Sequence, residues 1–206
     1  MYAAFLANLG EGFLAPRRSL RRLLSREISL REIALLVLLG YLIGAIFSVL
    51  IMPLEGARAG GLNHVAGLMN WVVLILLFAW LAWMAPRLFG GEGSWEASLR
   101  AMAWLSVLAG ALQPLPLIAM AMLPQAEIVA ALTGKGPEAL KAAMDEVTDQ
   151  TRSVVETLLL ITAALMFWLF SSFIAELHRF RATWPVMAVI FGLFLAISAL
   201  LRGATA

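Results

Sequence analysis

Five long stretches without a charged residue follow one another along the chain, and short segments that carry charge separate them. They cover residues 33–52, 65–85, 101–123, 157–175 and 182–201. Each stretch has about 20 residues, the length that a helix needs to cross a hydrocarbon core roughly 30 Å thick. A helix also satisfies its own backbone hydrogen bonds, which lipid cannot do. The pattern predicts an all-α, polytopic membrane protein with five transmembrane helices in one domain, residues 33–202.

The N-terminal segment, residues 1–32, has apolar residues at helical spacing followed by a basic cluster. Its first part is a stripe of Tyr2, Phe5, Leu6, Leu9 and Phe13. Its second part places Arg17, Arg18, Arg21 and Arg22 around Leu20, Leu23 and Leu24. Basic amphipathic helices lie in the headgroup plane, where arginine meets anionic lipid. We predict an amphipathic surface helix whose four arginines contact lipid headgroups; a solvated basic tail is the alternative.

Local signals mark where several helices begin. Ser29 and Glu32 have the spacing of a capping box ahead of the first span. Ser94 is the predicted N-cap of the third span, and it follows the glycine-rich loop 89–93, which we interpret as a flexible break. In the long loop 124–156, Pro137 opens a polar helix that is predicted to run straight into the fourth span.

Composition supports the membrane assignment. The 206 residues are 62% hydrophobic and 14% charged, and the mean hydropathy is +0.90. Soluble domains are about 45–50% apolar and about 25% charged. Five crossings and their loops use nearly the whole length, so we expect no separate soluble domain.

Basic residues are divided unequally between the two sides of the predicted bundle. If the N-terminus is cytoplasmic, the inner side holds Arg17, Arg18, Arg21, Arg22, Arg26, Arg31, Arg87, Arg100, Arg179 and Arg181. The outer side then holds Arg58, Lys135, Lys141, Arg152 and Arg202. Ten against five satisfies the positive-inside rule. We therefore predict a cytoplasmic N-terminus and a C-terminus on the outer side.

Few residues offer catalytic chemistry. The chain has no cysteine and two histidines, and His64 has no partner at metal-ligand spacing. Glu156 and Glu176 bracket the fourth span at its interfaces, where a carboxylate is tolerated, so neither is a mid-membrane acid. Motifs for nucleophilic catalysis, zinc hydrolysis and phosphate binding are missing. We expect no enzyme activity, no catalytic or metal site, no cofactor and no nucleic-acid partner.

Small residues form a stripe on the first span. Gly40, Gly44 and Ser48 recur every four residues and therefore share one face of the helix. Small residues let two helices approach closely in a membrane. The stripe predicts a helix-packing seam, and we favour a seam against another span of the same chain over a homo-oligomer seam.

Two prolines interrupt the third span. Gln113, Pro114 and Pro116 lie among apolar residues, and proline removes a backbone donor from a helix. A broken helix can line a solute pathway. The simpler interpretation is a structural kink, with the side-chain amide of Gln113 bonded to a carbonyl that the prolines free, that of Gly110 or Leu112.

Three segments and the five-span plan give the chain a family resemblance. The segments are Leu14-Ala15-Pro16 with the basic and leucine residues after it, residues 89–99 (FGGEGSWEASL) leading into the proline-bearing third span, and residues 177–184 (LHRFRATW) before the last span. In these features the chain resembles the bacterial form of the Yip family of Ypt/Rab-interacting proteins.

The resemblance implies a protein of the bacterial cytoplasmic (inner) membrane, with a periplasmic C-terminus. It also implies non-enzymatic work in membrane organisation or shaping, or as an accessory partner of another membrane protein. Two alternatives stay open: a small transporter or channel that uses the broken third span, and a subunit of a larger membrane complex. The expected partners are the lipid bilayer, its anionic headgroups, and a membrane protein or a second copy of the chain.

Overall fold

The computed structural model describes residues 2–51, 61–124, 136–192 and 195, and every regular element in these ranges is helical. The helices are α1 Tyr2–Leu14, α2 Pro16–Leu24, α3 Leu30–Ile51, α4 Gly61–Met84, α5 Trp95–Leu112, α6 Pro114–Ala121, α7 Gly136–Glu146 and α8 Asp149–Leu177. A 3₁₀ helix, Ala85–Phe89, follows α4, and residues 184–192 form a further helix, α9. The all-α prediction is confirmed for these residues.

Four segments of the described chain are long and apolar enough to cross a membrane. They are Leu30–Ile51, Val65–Arg87, Trp95–Ala121 and Asp149–Leu177, and they overlap the first four predicted spans. Of the fifth predicted span, residues 184–192 are helical, and most of its second half lies outside the described residues. The count of five therefore stays a prediction.

Two predicted caps are confirmed. The Ser29 hydroxyl accepts the amide of Glu32 at 3.3 Å, and a carboxylate oxygen of Glu32 accepts the amide of Ser29 at 2.7 Å. This reciprocal pair is the capping box that starts α3. At α5, the hydroxyl of Ser94 accepts the amide of Ala97 at 3.1 Å, which satisfies one free donor in the first turn.

We predicted that the polar helix after Pro137 runs straight into the fourth span, and this prediction is wrong. It ends at Glu146, and α8 begins at Asp149 after Thr148, whose hydroxyl accepts the amide of Thr151 at 3.3 Å. The guanidinium of Arg152 bonds to the carbonyl of Met144 at 2.8 and 3.0 Å. Arg152 thus donates to a backbone carbonyl at the end of α7, where no further helical turn supplies an amide donor. A continuous helix would not need this contact.

The chain forms two compact units, each assembled from separate stretches of sequence. Unit 1 comprises Met1–Ile33, Ile75–Leu105 and Met166–Ala206, and unit 2 comprises Ala34–Leu74 and Ser106–Leu165. In unit 1 the fully buried side chains include Leu20, Met102, Leu169 and Phe173. In unit 2 a cluster of Ala119, Leu123, Ala143 and Val155 packs α6 and α7 against α8.

Candidate functional site

The basic helix α2 is fixed within unit 1 by its arginines. Arg17 donates to a carboxylate oxygen of Glu176 at 3.1 Å and to the carbonyl of Phe180 at 2.7 Å. Arg21 donates to both oxygens of the same carboxylate, at 2.7 and 3.1 Å, and this hydrogen bonding raises the pKa of Arg21 above its ordinary value. The Glu176 side chain is only 10% exposed, so the carboxylate is an inward anchor for α2 near the end of α8.

The end of α8 presents the carbonyls that Arg17 uses. Phe180 donates its amide to the carbonyl of Ala175 at 2.8 Å, and Arg179 takes a left-handed conformation with φ 57°. Together these are the features of a Schellman C-cap, in which the chain reverses after the helix. The reversal leaves the carbonyls of Phe180 and Arg181 free to accept from Arg17, at 2.7 and 3.2 Å.

The inner side of α2 packs on protein, which changes our prediction of a helix lying on lipid. Leu20 is fully buried, and Ser19 is buried and accepts the indole N–H of Trp104 at 2.9 Å. Arg17 also points inward, with a side chain only 29% exposed. The surface that remains for headgroups is the outer side of α2.

That outer side carries the other predicted headgroup contacts. The side chains of Arg18, Arg21 and Arg22 are 72%, 71% and 62% exposed. Arg22 is paired with Glu11 of α1, and Arg18 lies 4.0 Å from the same carboxylate. The Glu11 side chain is 17% exposed, so each pair joins an exposed arginine to a partly buried carboxylate, and headgroup contact by these arginines stays a prediction.

His178 joins two further elements to the end of α8. Its Nδ1 accepts the amide of Gly93 at 3.0 Å, and its Nε2 lies 2.7 Å from the carbonyl of Ala82. A carbonyl only accepts, so Nε2 carries the proton and the ring is neutral. The residue is 2% exposed, and its burial lowers the pKa of His178 below the ordinary value of 6.5. Sequence analysis did not single out this residue for a role.

The glycines of the loop before α5 are packed against this histidine, so the loop is not the flexible break that we predicted. A Cβ on Gly91 would lie 2.3 Å from Nδ1 of His178, and one on Gly93 would lie 2.8 Å from its Cε1. Arg87 donates to the carbonyl of Gly93 at 3.3 Å and lies 4.7 Å from the ring centre of Trp83. Glycine is required here because the imidazole ring occupies the space of a side chain.

Unit 2 contains the small-residue stripe of α3. A Cβ on Gly40 would lie 2.5 Å from the carbonyl oxygen of Ser106, and a Cβ on Gly110 would lie 2.3 Å from the carbonyl oxygen of Gly40. Gly44 faces the side chain of Gln113, 3.2 Å from its Cγ by the same measure. The hydroxyl of Ser48 donates to the carbonyl of Gly44 at 3.0 Å. The stripe thus lies against α5 of the same chain.

The interruption of the third span is narrow. Gln113 separates α5 from α6, yet its backbone keeps right-handed helical angles, φ −52° and ψ −31°. The amide N–H of Gln113 donates to the carbonyl of Gly110 at 3.2 Å. The backbone thus satisfies the carbonyl of Gly110 by tightening to a 3₁₀-like turn, and the side chain of Gln113 is not required for it. The other carbonyl that we named, that of Leu112, stays a prediction.

A cavity of about 210 Å³ lies beside the side chain of Gln113. Its lining includes Tyr41, Ser48, Trp71 and the glycines Gly40 and Gly44. The indole nitrogen of Trp71 is buried and has no hydrogen-bond partner among the described residues. The lining thus includes the polar residues Tyr41, Ser48 and Gln113 within a part of the chain that is otherwise apolar. Among the described residues, no group of histidine, aspartate and glutamate side chains could hold a metal ion.

The architecture defines a helical membrane protein whose N-terminal basic helix is bonded to the end of a long apolar helix. The family model of the Yip1 domain matches residues 12–202, nearly the whole chain. The chain therefore belongs to the Yip1 domain family. No curated protein and no solved structure matches it.

The three segments that carried the family resemblance meet in unit 1. Arg17, next to the Leu14-Ala15-Pro16 segment, bonds to the segment that follows α8, and His178 of that segment bonds to Gly93 of the loop before α5. These three segments form a polar junction, the name we use below for Arg17, Arg21, Gly93, Glu176 and His178. The junction is the best-defined polar arrangement in the described part of the chain.

Proposed function

We propose that this Yip1 domain protein works without catalysis, as an organiser of the membrane that surrounds it. The proposal rests on one observation: the arginines of α2 differ in their contacts and exposure. Arg17 and Arg21 bind Glu176 and hold the helix in place, while Arg18 and Arg22 are exposed on its outer side. A basic surface held rigidly at the ends of membrane spans binds anionic headgroups, with about 1 kcal/mol for each arginine near the surface.

The proposed site is located in the bacterial inner membrane, with α2 on the cytoplasmic side. The positive-inside distribution supports this orientation, because most of the basic residues fall on the side of α2. In that orientation α2 gathers anionic lipid around the protein on one leaflet only. An asymmetric gathering of lipid, by this protein alone or with a membrane-protein partner, is the means of shaping that we propose.

Reconstitution of the full chain tests the proposal. Vesicles of neutral phospholipid, with and without phosphatidylglycerol, would be imaged by electron cryo-microscopy at equal protein density. We expect the protein to change vesicle diameter only when phosphatidylglycerol is present, and Arg18→Gln to weaken that change. Lys141→Gln is the matched control, because it also removes one positive charge from an exposed side chain, but from α7 in unit 2. Equal effects of the two substitutions, or no change in diameter with anionic lipid, would contradict the proposal.

A second candidate function, passage of a small polar solute, has one observation in its favour. The lining of the cavity beside Gln113 includes the polar side chains of Tyr41, Ser48 and Gln113, and the buried indole nitrogen of the lining residue Trp71 has no hydrogen-bond partner among the described residues. Buried polar groups in a membrane mark solute pathways when they face a cavity. The tightened backbone at Gln113 satisfies the carbonyl of Gly110, so this carbonyl does not need the side-chain amide.

Gln113→Leu separates the two candidates. Because the substitution unpairs no backbone carbonyl at Gly110, we expect the free energy of unfolding to change by less than about 1 kcal/mol. The flux of small polar solutes into vesicles should be measured for the unsubstituted protein and for this variant. A flux that Gln113→Leu abolishes at unchanged stability would establish the pathway and replace the non-transport proposal.

A further inference from the structure

Unit 1 contains a second, larger cavity that the proposed function does not use. It has a volume of about 430 Å³, and its lining combines the 3₁₀ helix after α4, the end of α8, the turn that follows and the start of α9. The lining includes Pro86, Phe89, Phe180, Pro185 and Val189. Cavities of about 300–1,000 Å³ are the usual size of small-molecule sites.

The chemistry of the lining is almost entirely apolar, with one exception. Arg181 is the only charged residue in the lining of this cavity, and it is exposed. None of the ion pairs in the described part of the chain includes Arg181. An apolar cavity with one exposed cation at its edge fits a molecule that has a long apolar part and an anionic head.

The position of the cavity supports the same conclusion. The apolar span that contains α4 ends at Arg87, and the span formed by α8 ends at Leu177. The cavity lies across these two ends, with Pro86 and Ile174 just inside them and Phe180 and Arg181 just outside. Span ends lie where hydrocarbon gives way to headgroups. A lipid acyl chain can therefore enter the apolar part while its phosphate stays at the level of Arg181.

Charge around the rim favours an anionic ligand. Five arginines lie around the end of α8 and outnumber the two carboxylates there, Glu92 and Glu176, by three. They are Arg17, Arg21, Arg87, Arg179 and Arg181. His178 adds no charge, since its ring is held neutral by Gly93 and Ala82. The excess positive charge attracts phosphate groups and disfavours a cationic guest.

We propose that this cavity binds one acyl chain of an anionic phospholipid, whose phosphate is held by Arg181. The site is distinct from the outer side of α2, and its occupancy does not depend on any shaping activity. A bound lipid would keep the turn between α8 and α9 packed, since that turn supplies Phe180, Arg181 and Ala182 to the lining.

Photo-crosslinking tests the proposal on the full chain in vesicles. Phosphatidylglycerol that carries a diazirine on one acyl chain would be activated, and the labelled residues would be mapped by mass spectrometry. We expect labelling to concentrate on the cavity lining, such as Phe89, Ile174 and Val189. Labelling spread evenly over the exposed apolar residues of the spans would overturn the proposal. The mapping uses the unsubstituted protein, so its result does not depend on the folding of any variant.

A matched pair of variants tests whether the cavity itself is required. Val189→Trp fills the cavity, whereas Val154→Trp makes the same change outside its lining, and the two valines are 40% and 41% exposed. We expect Val189→Trp to lower labelling of Phe89 and Ile174 about tenfold and Val154→Trp to leave it unchanged. Equal labelling in both variants, at equal melting temperatures, would overturn the site.

Arg181→Gln tests the recognition of the head. Labelling by the phosphatidylglycerol probe should fall about fivefold, the effect of one arginine near a phosphate surface. Labelling by the same probe with a phosphatidylcholine head should fall less, because its choline cation offsets the charge of the phosphate. A loss that is equal for both probes would refute the anionic specificity. The vesicle-diameter assay with Arg18→Gln tests the proposed function separately. A failure of the cavity proposal and a failure of the proposed function can therefore be told apart.

Discussion

In unit 1, elements far apart in the sequence are joined by long polar side chains, whereas in unit 2 the helices meet through glycine. Arg17 bonds to a carboxylate, and His178 to an amide and a carbonyl, across 85 residues or more of sequence. In unit 2 the backbones of α3 and α5 approach each other at Gly40 and Gly110. The difference follows from solvent, because headgroups and water tolerate polar contacts at the ends of spans while the bilayer interior rewards close packing.

The two kinds of contact respond differently to substitution. A glycine seam has no room for one additional carbon atom, because backbone atoms cannot rotate away. A polar junction has several donors for each acceptor, so that the loss of one partner is shared among the others. We therefore expect the largest single effects in unit 2 and graded effects in unit 1.

The largest effect is expected for Gly110→Ala. The new methyl group would lie 2.3 Å from the carbonyl oxygen of Gly40, so α3 and α5 must move apart. Overpacking of this kind costs about 3 kcal/mol at the upper end of its usual range. Reversible unfolding in mixed micelles would measure the loss. Gly10→Ala is the control, because a Cβ on Gly10 meets nothing within 4 Å, and it should stabilise α1 by about 0.5–1 kcal/mol. Equal effects would refute a close glycine seam.

An intermediate effect is expected for Glu176→Gln. The substitution removes the charge that Arg17 and Arg21 share, and hydrogen bonds to a charged group contribute about 1.5–3 kcal/mol. The expected loss of about 2 kcal/mol should be accompanied by faster tryptic cleavage within α2. In Glu92→Gln an exposed pair with Arg179 is lost, which should cost less than about 1 kcal/mol. If α2 stays protected from trypsin in Glu176→Gln, the carboxylate is not its anchor.

A small gain in stability is expected for Arg179→Gly. Arg179 has φ 57°, a conformation that glycine adopts without the steric cost of a Cβ. The variant should be more stable by about 0.5–1 kcal/mol. Arg179→Ala is the matched control, since it removes the same exposed contact with Glu92, 3.8 Å apart, and keeps the Cβ. A gain in both variants would show that charge, and not the backbone, is responsible.

Sequence analysis predicted the elements of both units better than the contacts between them. The capping box at Ser29 and the N-cap at Ser94 were predictable, because their partners lie within four residues. The role of Glu176 as an anchor was not predictable, since its partners lie 155 and 159 residues away. The glycines at 91 and 93 were misinterpreted for the same reason: only the fold brings His178 against them.

The smallest effect on the free energy of unfolding is expected from a change of pH, through the titration of His178 in the polar junction. In the folded protein His178 is neutral, with Nδ1 accepting from Gly93 and Nε2 donating to Ala82. A proton on Nδ1 would face the amide of Gly93, so that protonation breaks this contact. Burial is the main reason that the pKa of His178 lies below 6.5 in the folded state, and the positive charge of the nearby Arg87 acts in the same direction.

The direction of the pH effect follows from proton binding. Below about pH 6.5 the unfolded chain binds a proton at His178 that the folded chain does not bind. The free energy of unfolding should therefore be highest above pH 6.5 and should decrease as the pH falls from there towards the folded-state pKa. His178→Gln keeps a donor and an acceptor but cannot titrate, so its stability should lose this component of the pH dependence. Unfolding of both proteins between pH 5 and pH 8, the interval in which histidine titrates, would measure the difference, and parallel pH profiles would show that His178 is not a neutral link in the junction.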